Sequence, residues 1–400
     1  MVSASDLTGG KPFSVAFVLS VALALLLAGH WFVQQRSIGA PASYLEVRGD
    51  SVAYVQMIEG QWRTMRLPFR YRVFVPLLAR ALPLAPLDSL RIISYASLFF
   101  CYVLFLLTCR ELGLCWQASL VGVWAVFTSS WHLYHYNNPF IIDGFVLLTL
   151  SGLIYALARK SFWLFLAFTV LGVLSKETVI FLVPVWALVR DWRRGLIVLA
   201  AALAAFFLPR YLMSGEATPA AQAFLLAAQK NLMVRGPFAY VIALVTAWGF
   251  LWPLLGLGAA LWPRDAARQF CVTAALLLAG GFFSSLIAAD VARMFTPLSV
   301  LVACACAQLA ATLWERGAGG WVYGLIGLSF LQAVFSITPR VFFSGHPGVF
   351  NNNGLRFVVL SVGLLFVAGM AWRLREALAT AGRDNLVHLW NSRAVWFRSP

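Results

Sequence analysis

The sequence predicts an all-α polytopic membrane protein with about ten to twelve spans and with interfacial helices in its first external loop. Hydrophobic residues make up 61% of the 400 positions, and charged residues only 11%. The mean hydropathy is +0.82, a value that excludes a soluble globular domain. We expect residues 1–372 to form a single transmembrane domain, with the first external loop at 36–89 and a basic cytoplasmic tail at 373–400.

About twelve apolar stretches separated by polar turns favour this architecture. They lie at 13–33, 90–108, 116–134, 140–157, 162–174, 178–189, 196–208, 238–262, 270–288, 294–313, 321–337 and 355–372. The fifth and sixth are short and flank Ser175-Lys176-Glu177, so we expect tilted helices, or a hairpin whose polar tip lies within protein or in a wet cavity. The first stretch precedes Ala40-Pro41-Ala42, which resembles a signal-peptidase site. It is longer than the roughly 7–15 apolar residues of a signal peptide, so a retained helix is expected.

Basic residues set the predicted orientation, because short cytoplasmic loops are enriched in Lys and Arg. With Lys11 in the cytoplasm, every cytoplasmic turn is basic. These turns carry Arg110, Arg159-Lys160, Arg190, Arg193, Arg194, Arg264, Arg268, Arg316 and the tail from Arg373. The external side holds about as many basic residues, chiefly in 36–91, and phosphate binding would explain that surplus. The net charge of +15 is scattered between apolar spans, which favours lipid headgroups and anionic membrane substrates over nucleic acid.

The six cysteines lie in or beside apolar segments and form no CxxC pair, so we interpret them as packing residues and not as a disulfide framework or metal site. They are Cys101, Cys109, Cys115, Cys271, Cys304 and Cys306. His132 and His135 are three positions apart. A metal site there is an alternative to neutral imidazoles at an interface.

The stretch Arg48–Arg72 is the longest charged run in the body of the chain, and it holds Asp50 and Glu59 among five arginines. Carboxylates beside a basic cluster suit chemistry in which a base activates an acceptor and cations hold a phosphate leaving group. Residues 50–61 are predicted to form an interfacial helix, in which Asp50 is either the N-cap of residues 51–61 or a general base, and the two roles are compatible. Tyr54 lies one turn away on the same face.

Arg70 and Arg72 straddle Tyr71. On an extended segment their side chains would point to the same side and suit two oxygens of one phosphate. The alternative is a basic and aromatic belt at the membrane interface.

Asp143 opens an apolar stretch, where an acid either complements the helix dipole or serves as a catalytic or metal-binding carboxylate. Lys176 and Glu177 lie between two apolar segments, where charges are costly unless they are paired or functional. Lys176 is therefore expected either in a structural salt bridge or on a lipid phosphate. Arg293 opens a late span and is a candidate for the same cavity.

Together these segments resemble the GT-C superfamily of membrane glycosyltransferases, which use polyprenyl-phosphate sugars as donors. The matching pieces are Asp50 with Tyr54, the segment Pro68-Phe69-Arg70-Tyr71-Arg72 with Pro76-Leu77-Leu78, Asp143 with the turn Ser175-Lys176-Glu177-Thr178, and Arg293 before Pro297. The resemblance implies that Asp50 is the catalytic base. The first loop carries a lone Asp where some branches have an adjacent acidic pair, so a divalent cation, Mg²⁺ or Mn²⁺, is left open and no cofactor is assigned.

The expected function is transfer of a sugar from a polyprenyl-phosphate donor to a glycan or lipid-linked acceptor, with inversion, on the extracytoplasmic face of a bacterial inner membrane. The residues expected to bind substrate are Tyr54, Arg70, Arg72, Asp143, Lys176, Glu177 and Arg293. Two other classes stay open: a transporter or flippase of anionic lipid-linked substrates, and an O-antigen ligase or polymerase. Expected partners are the donor, the acceptor and membrane lipids, with no nucleic acid.

Overall fold

The computed structural model describes residues 14–37, 50–62, 69–129, 132, 135–136, 138–212, 229, 248–285, 292–336 and 353–380. These residues are almost entirely helical and contain no strand, which confirms the all-α polytopic class. The α-helices are α1 (Val15–Ser37), α2 (Asp50–Ile58), α3 (Phe74–Ala81), α4 (Pro86–Glu111), α5 (Trp116–Phe127), α6 (Asp143–Ala158), α7 (Phe162–Ser175), α8 (Pro184–Val189), α9 (Trp192–Leu212), α10 (Leu251–Ala260), α11 (Arg264–Ser285), α12 (Ser299–Glu315), α13 (Gly319–Ser336) and α14 (Asn353–Arg373). Short 3₁₀ helices lie at Phe69–Tyr71, Glu177–Leu182 and Ala292–Leu298.

The apolar stretches of the sequence coincide with these helices wherever they fall on described residues. Among the described residues, four helical segments are long and apolar enough to cross a membrane: Pro86–Glu111, Trp192–Leu212, Asp265–Ser284 and Phe295–Glu315. The remaining apolar helices are shorter. Membrane character is therefore supported, and the number of spans stays a prediction.

Helix α12 lies at the centre of the molecule, and all of its residues from Ser299 to Ala307 are buried. It packs against α5 and α10, and small residues allow the close approach. A Cβ atom on Gly122 of α5 would overlap the carbonyl oxygen of Ala303, and one on Gly258 of α10 would lie 2.6 Å from the Ala305 backbone. Small residues of this kind let helix backbones approach closely in membrane proteins.

The cysteines are all free thiols, as the packing interpretation requires. Cys101, Cys109, Cys304 and Cys306 are buried, and the Cys109 and Cys304 sulfurs lie 3.9 Å apart between α4 and α12. Cys115 is half-buried and Cys271 is exposed. The packing role is thus confirmed for the four buried cysteines.

Three of the basic turns predicted to share one membrane face lie together, namely those near 159–160, 190–194 and 264–268. Arg190 donates from Nη2 to the Leu157 carbonyl at 2.8 Å and to Gln269 Oε1 at 2.7 Å. The Arg194 guanidinium lies 5.5 Å from the Phe162 ring centroid. Because α6 starts at Asp143 and ends near this turn, Asp143 lies at the opposite end of the bundle. Which end faces the cytoplasm stays a prediction.

The segment 162–189 forms the predicted hairpin. Helix α7 ends at Ser175, Lys176 is extended with φ −158° and ψ 130°, and the chain returns through Glu177–Leu182 and α8. The Trp186 ring contacts Phe162 and Phe165 at 5.7 and 5.1 Å between centroids, so the chain comes back along α7. The polar tip therefore lies within protein, at the end of the bundle away from the basic turns.

Substituting Gly122 with Ala tests the packing of α5 on α12. The added methyl group overlaps the Ala303 carbonyl and the Ala307 side chain, so we expect a loss of about 1–3 kcal/mol in stability. The matched control is Gly327→Ala in α13, where no atom lies within 4 Å. That change should raise the free energy of unfolding by about 0.5–1 kcal/mol, because Ala loses less backbone entropy than Gly when a helix forms. Thermal unfolding in detergent measures both, and equal effects would contradict this packing.

Candidate active site

Five of the residues predicted to bind substrate meet at the tip of the 162–189 hairpin. They are Tyr54, Arg72, Asp143, Lys176 and Glu177. They come from four separate parts of the chain: α2, the residue after the Phe69–Tyr71 turn, the start of α6 and the hairpin tip. The fold brings these side chains together at the end of the bundle opposite the basic turns, which is the end predicted to be external.

Arg72 donates three hydrogen bonds within the group. Its Nε donates to Glu177 Oε2 at 3.1 Å, and its Nη2 donates to Glu177 Oε1 at 2.6 Å. Its Nη1 donates to the Tyr54 hydroxyl at 3.2 Å. The Arg72 and Glu177 side chains are only 11% and 21% exposed. This is the planar, two-bond geometry in which guanidinium and carboxylate groups interact most strongly.

The pairing keeps both groups of the Arg72–Glu177 contact ionised. Burial opposes the charged form of Glu177, but the charge and hydrogen bonds of Arg72 outweigh it and lower the pKa of the carboxyl to about 2. Burial likewise opposes the charged form of Arg72, yet the neighbouring Glu177 holds the pKa of the guanidinium well above its usual value. Burial raises the pKa of the Tyr54 hydroxyl. At neutral pH, Tyr54 therefore keeps its proton beside a charged pair.

Lys176 and Asp143 form the second ion pair, with 2.7 Å between Nζ and Oδ1. Their side chains are 9% and 12% exposed. Neighbouring side chains on an extended backbone point to opposite sides, so the extended Lys176 reaches Asp143 while Glu177 reaches Arg72. Asp143 is the first residue of α6, where an acid complements the helix dipole. It is not the N-cap, which is Ile142. The structural salt bridge that the sequence allowed for Lys176 is present.

A cavity of about 540 Å³, counted with the open space at its mouth, adjoins the second ion pair. Asp143, Lys176 and His135 line its polar part. Most of the remaining wall is apolar or small and comes from α6, the 3₁₀ turn after Lys176, and α11. These residues include Val146, Leu147, Leu150, Phe181, Leu277, Gly280 and Gly281. A mostly apolar cavity with a few polar groups at one side suits an amphiphilic ligand.

Asp50 is the first residue of α2, whereas the sequence placed it just before a helix starting at 51. It is half-buried and acts electrostatically on Tyr54, as Asp143 also does. Asp50 thus lies near enough to Tyr54 to influence its hydroxyl electrostatically, although it does not line the cavity.

The prediction that Arg70 and Arg72 lie on an extended segment is wrong. Phe69–Tyr71 is a 3₁₀ turn, closed by a hydrogen bond of 2.9 Å from the Arg72 amide to the Phe69 carbonyl. In such a turn, side chains two positions apart do not share a face. Arg72 is accordingly buried against Glu177, while Arg70 is half-buried.

Arg293 and the histidine pair His132 and His135 are the remaining groups predicted from the sequence. The Arg293 backbone lies in the Ala292–Leu298 turn, and its side chain is outside the described residues. His132 is fully buried and packs against Tyr102, Phe105 and His135, at 5.9, 5.8 and 6.3 Å between ring centroids. Within the described part of the chain, no three His, Cys, Asp or Glu side chains converge on a common point. The histidine pair therefore acquires no further ligand there.

Arg210 belongs to this end of the bundle although the sequence interpretation did not single it out. It lies in the last turn of α9, and its guanidinium is 4.5 Å from the Tyr71 ring centroid. Its Nη1 also donates to the Phe206 carbonyl at 2.7 Å. The only signal in the sequence is a charged residue two positions after the apolar stretch 196–208, a pattern typical of many span ends.

No family model matches the chain, and no curated protein or solved structure matches it either. The function is therefore inferred from the residues and their arrangement.

Replacing Glu177 by Gln tests whether the Arg72–Glu177 pair stabilises the fold. The change leaves a buried guanidinium without its counter-charge, which typically costs about 3–5 kcal/mol. The control is Asp88→Asn, which breaks the exposed Arg91–Asp88 pair of 3.2 Å and should cost below about 1 kcal/mol. Unfolding in detergent gives both values. Equal costs would mean that the buried pair contributes no more than a surface one.

Proposed function

We propose that this protein is a membrane glycosyltransferase that moves a sugar from a polyprenyl-phosphate donor to a glycan or lipid-linked acceptor on the extracytoplasmic face, with inversion. The observation that supports it best is the cavity between α6, the hairpin tip and α11. One part of its wall is the Lys176–Asp143 pair, and most of the rest is apolar. An anionic headgroup on a hydrocarbon chain has the matching distribution of charge and apolar surface.

The donor phosphate binds next to Lys176, and its hydrocarbon chain lies along the apolar wall. Because the Lys176 ammonium already contacts Asp143 at 2.7 Å, an incoming phosphate shares this cation with Asp143 or displaces the carboxylate. Asp143 therefore positions Lys176, as Glu177 positions Arg72. Arg70 and Arg293 are kept as candidate phosphate contacts from the sequence pattern.

Asp50 is the proposed general base. It accepts the proton of the acceptor hydroxyl, and the resulting oxygen attacks the anomeric carbon of the donor sugar. The bond from that carbon to the phosphate oxygen breaks, and the negative charge passes to the departing lipid phosphate. Cations of the site neutralise this charge as it develops. Attack in line with the departing oxygen inverts the anomeric centre.

A divalent cation has no evident set of ligands in this arrangement. Asp143 already bonds Lys176, and no group of three ligating side chains is found among the described residues. We therefore assign no step to Mg²⁺ or Mn²⁺. Dependence on either ion is to be measured by running the transfer reaction with and without a chelator.

A lipid transporter or flippase is the second candidate, and the interrupted helix at Lys176 favours it. Transporters build their substrate and ion sites from interrupted helices. The two ion pairs on either side of the extended Lys176 lie at such an interruption. A transporter moves its substrate without changing any covalent bond, and this difference separates the two candidates.

The substitution Asp50→Asn tests the transferase proposal. Purified protein in liposomes is given a panel of radiolabelled polyprenyl-phosphate hexoses and pentoses together with extracted envelope glycolipids as acceptors. Loss of a general base lowers turnover by about 10²–10⁴-fold, with an unchanged unfolding temperature. Glu59→Gln is the matched control, since Glu59 is an exposed carboxylate on the same loop, and it should retain full activity.

Wild-type turnover in the Asp50→Asn protein would refute the assignment of the base. Passage of the labelled lipid across the bilayer, with no transfer in any protein including the wild type, would favour the transporter.

A further inference from the structure

The basic side chains at the hairpin end of the bundle differ in whether they are already paired with a carboxylate. Arg72 bonds both oxygens of Glu177 and the Tyr54 hydroxyl. Lys176 contacts Asp143 at 2.7 Å. An anionic ligand has to compete with a buried carboxylate for either of these two side chains, so they are poor first contacts for a phosphate.

Arg210 is arranged differently. Its guanidinium is stacked on aromatic rings, 4.5 Å from the Tyr71 centroid and 3.5 Å from that of Phe206. One of its nitrogens, Nη1, donates to the Phe206 carbonyl. Among the residues that the structure describes, no carboxylate forms an ion pair with it. A guanidinium has five N–H donors, and Phe206 is the one hydrogen-bond acceptor of Arg210 among the described residues, so most of its donors are unused within that part of the chain.

The guanidinium of Arg210 interacts electrostatically with both members of the Arg72–Glu177 pair. Attraction to Glu177 is opposed by repulsion from Arg72, which already neutralises that carboxylate through two hydrogen bonds. The stacking on Tyr71 fixes the guanidinium in place, and such contacts contribute about 0.5–2 kcal/mol. A positioned cation with open donors beside a neutralised pair has the properties of an anion-binding group.

We infer that Arg210 is the first contact for the anionic headgroup of a phosphate-bearing lipid, before the headgroup reaches Lys176, with Tyr71 as the surface that orients its guanidinium. The planar guanidinium matches two oxygens of a phosphate ester, and Arg210 ends an apolar helix long enough to cross the membrane, where lipid headgroups lie. The identity of the lipid as a polyprenyl phosphate rests on the proposed function, whereas the anion site itself does not. Free phosphate presents the same oxygens, so the test has to separate the two sources.

The experiment measures binding to the purified full-length protein in nanodiscs of zwitterionic lipid. Three probes are titrated: a polyprenyl monophosphate, the uncharged polyprenol of the same length, and inorganic phosphate. The protein variants are the wild type, Arg210→Gln, Arg210→Lys and Tyr71→Leu. The matched control is Arg193→Gln, at the other end of the same helix. It removes an exposed arginine whose guanidinium lies 5.6 Å from the Trp192 ring centroid.

We expect Arg210→Gln to weaken polyprenyl phosphate binding by roughly 10- to 100-fold, the loss typical of charged hydrogen bonds. Arg210→Lys and Tyr71→Leu should show smaller losses, because the first keeps the charge and the second keeps the guanidinium. Binding of polyprenol should be weak and unaffected by any substitution. Arg193→Gln should bind as the wild type does, and unfolding temperatures should show that each variant is folded.

Binding of the lipid phosphate by Arg210→Gln with wild-type affinity would overturn the inference, as would equal losses in Arg210→Gln and Arg193→Gln. Absence of lipid phosphate binding by the wild type would overturn it too. Tight binding of inorganic phosphate, lost in Arg210→Gln, would support the anion site and reject the lipid as its source. Sugar transfer is not measured here, so a wild-type protein that binds the lipid phosphate through Arg210 but transfers no sugar in the separate assay would reject the glycosyltransferase and leave the anion site standing.

Discussion

The buried contact between Arg72 and Glu177 is the interaction on which the arrangement of this end of the molecule depends. Removing two charges from water costs several kcal/mol each, and only close pairing with additional hydrogen bonds offsets that cost. Here the two residues are 105 positions apart in the chain. Their pairing therefore fixes the segment after the first loop against the tip of the hairpin, and Tyr54 joins α2 to the same contact.

The Lys176–Asp143 pair likewise joins two distant parts of the chain through buried charges, beside the cavity. Lys176 follows directly on α7 and bonds Asp143 at the start of α6, 33 positions earlier in the chain. Because the adjacent residues Lys176 and Glu177 pair with different partners, the hairpin tip is bonded both to α6 and to the segment after the first loop. The site thus contains opposite charges in close balance before any ligand arrives. Its cations are pre-positioned, but Arg72 and Lys176 are also already neutralised, which gives the less engaged Arg210 its significance.

Much of this arrangement was predictable from the sequence. Apolar runs of the observed spacing form helices because the backbone groups of a chain in lipid have to bond within their own segment. Charged residues interrupting such runs are costly, so Asp143, Lys176 and Glu177 were expected to be paired or functional. Their convergence with Tyr54 and Arg72 agrees with the sidedness inferred from the basic turns.

Other features depended on tertiary contacts that a linear pattern does not contain. The alternation of Arg70, Tyr71 and Arg72 is typical of an extended segment, but the chain forms a 3₁₀ turn at Phe69–Tyr71, and Arg72 directly after it bonds Glu177. The choice of partner within each ion pair also depends on the extended backbone at Lys176. Arg210 was missed because a single arginine after an apolar run is common, and only the fold places it over Tyr71.

The side of the membrane on which the paired charges lie is the most direct test of the central claim, because lipid-linked sugar donors are used on the external face. Glu59 and Arg193 are exposed residues at opposite ends of the bundle, so each is replaced in turn by cysteine. The background protein has serine at Cys115 and Cys271, since the other four cysteines are buried. Intact cells are treated with a membrane-impermeant thiol reagent. We expect labelling at position 59 in intact cells and at position 193 only after lysis. The reverse pattern would place the site in the cytoplasm and contradict a lipid-phosphate glycosyltransferase.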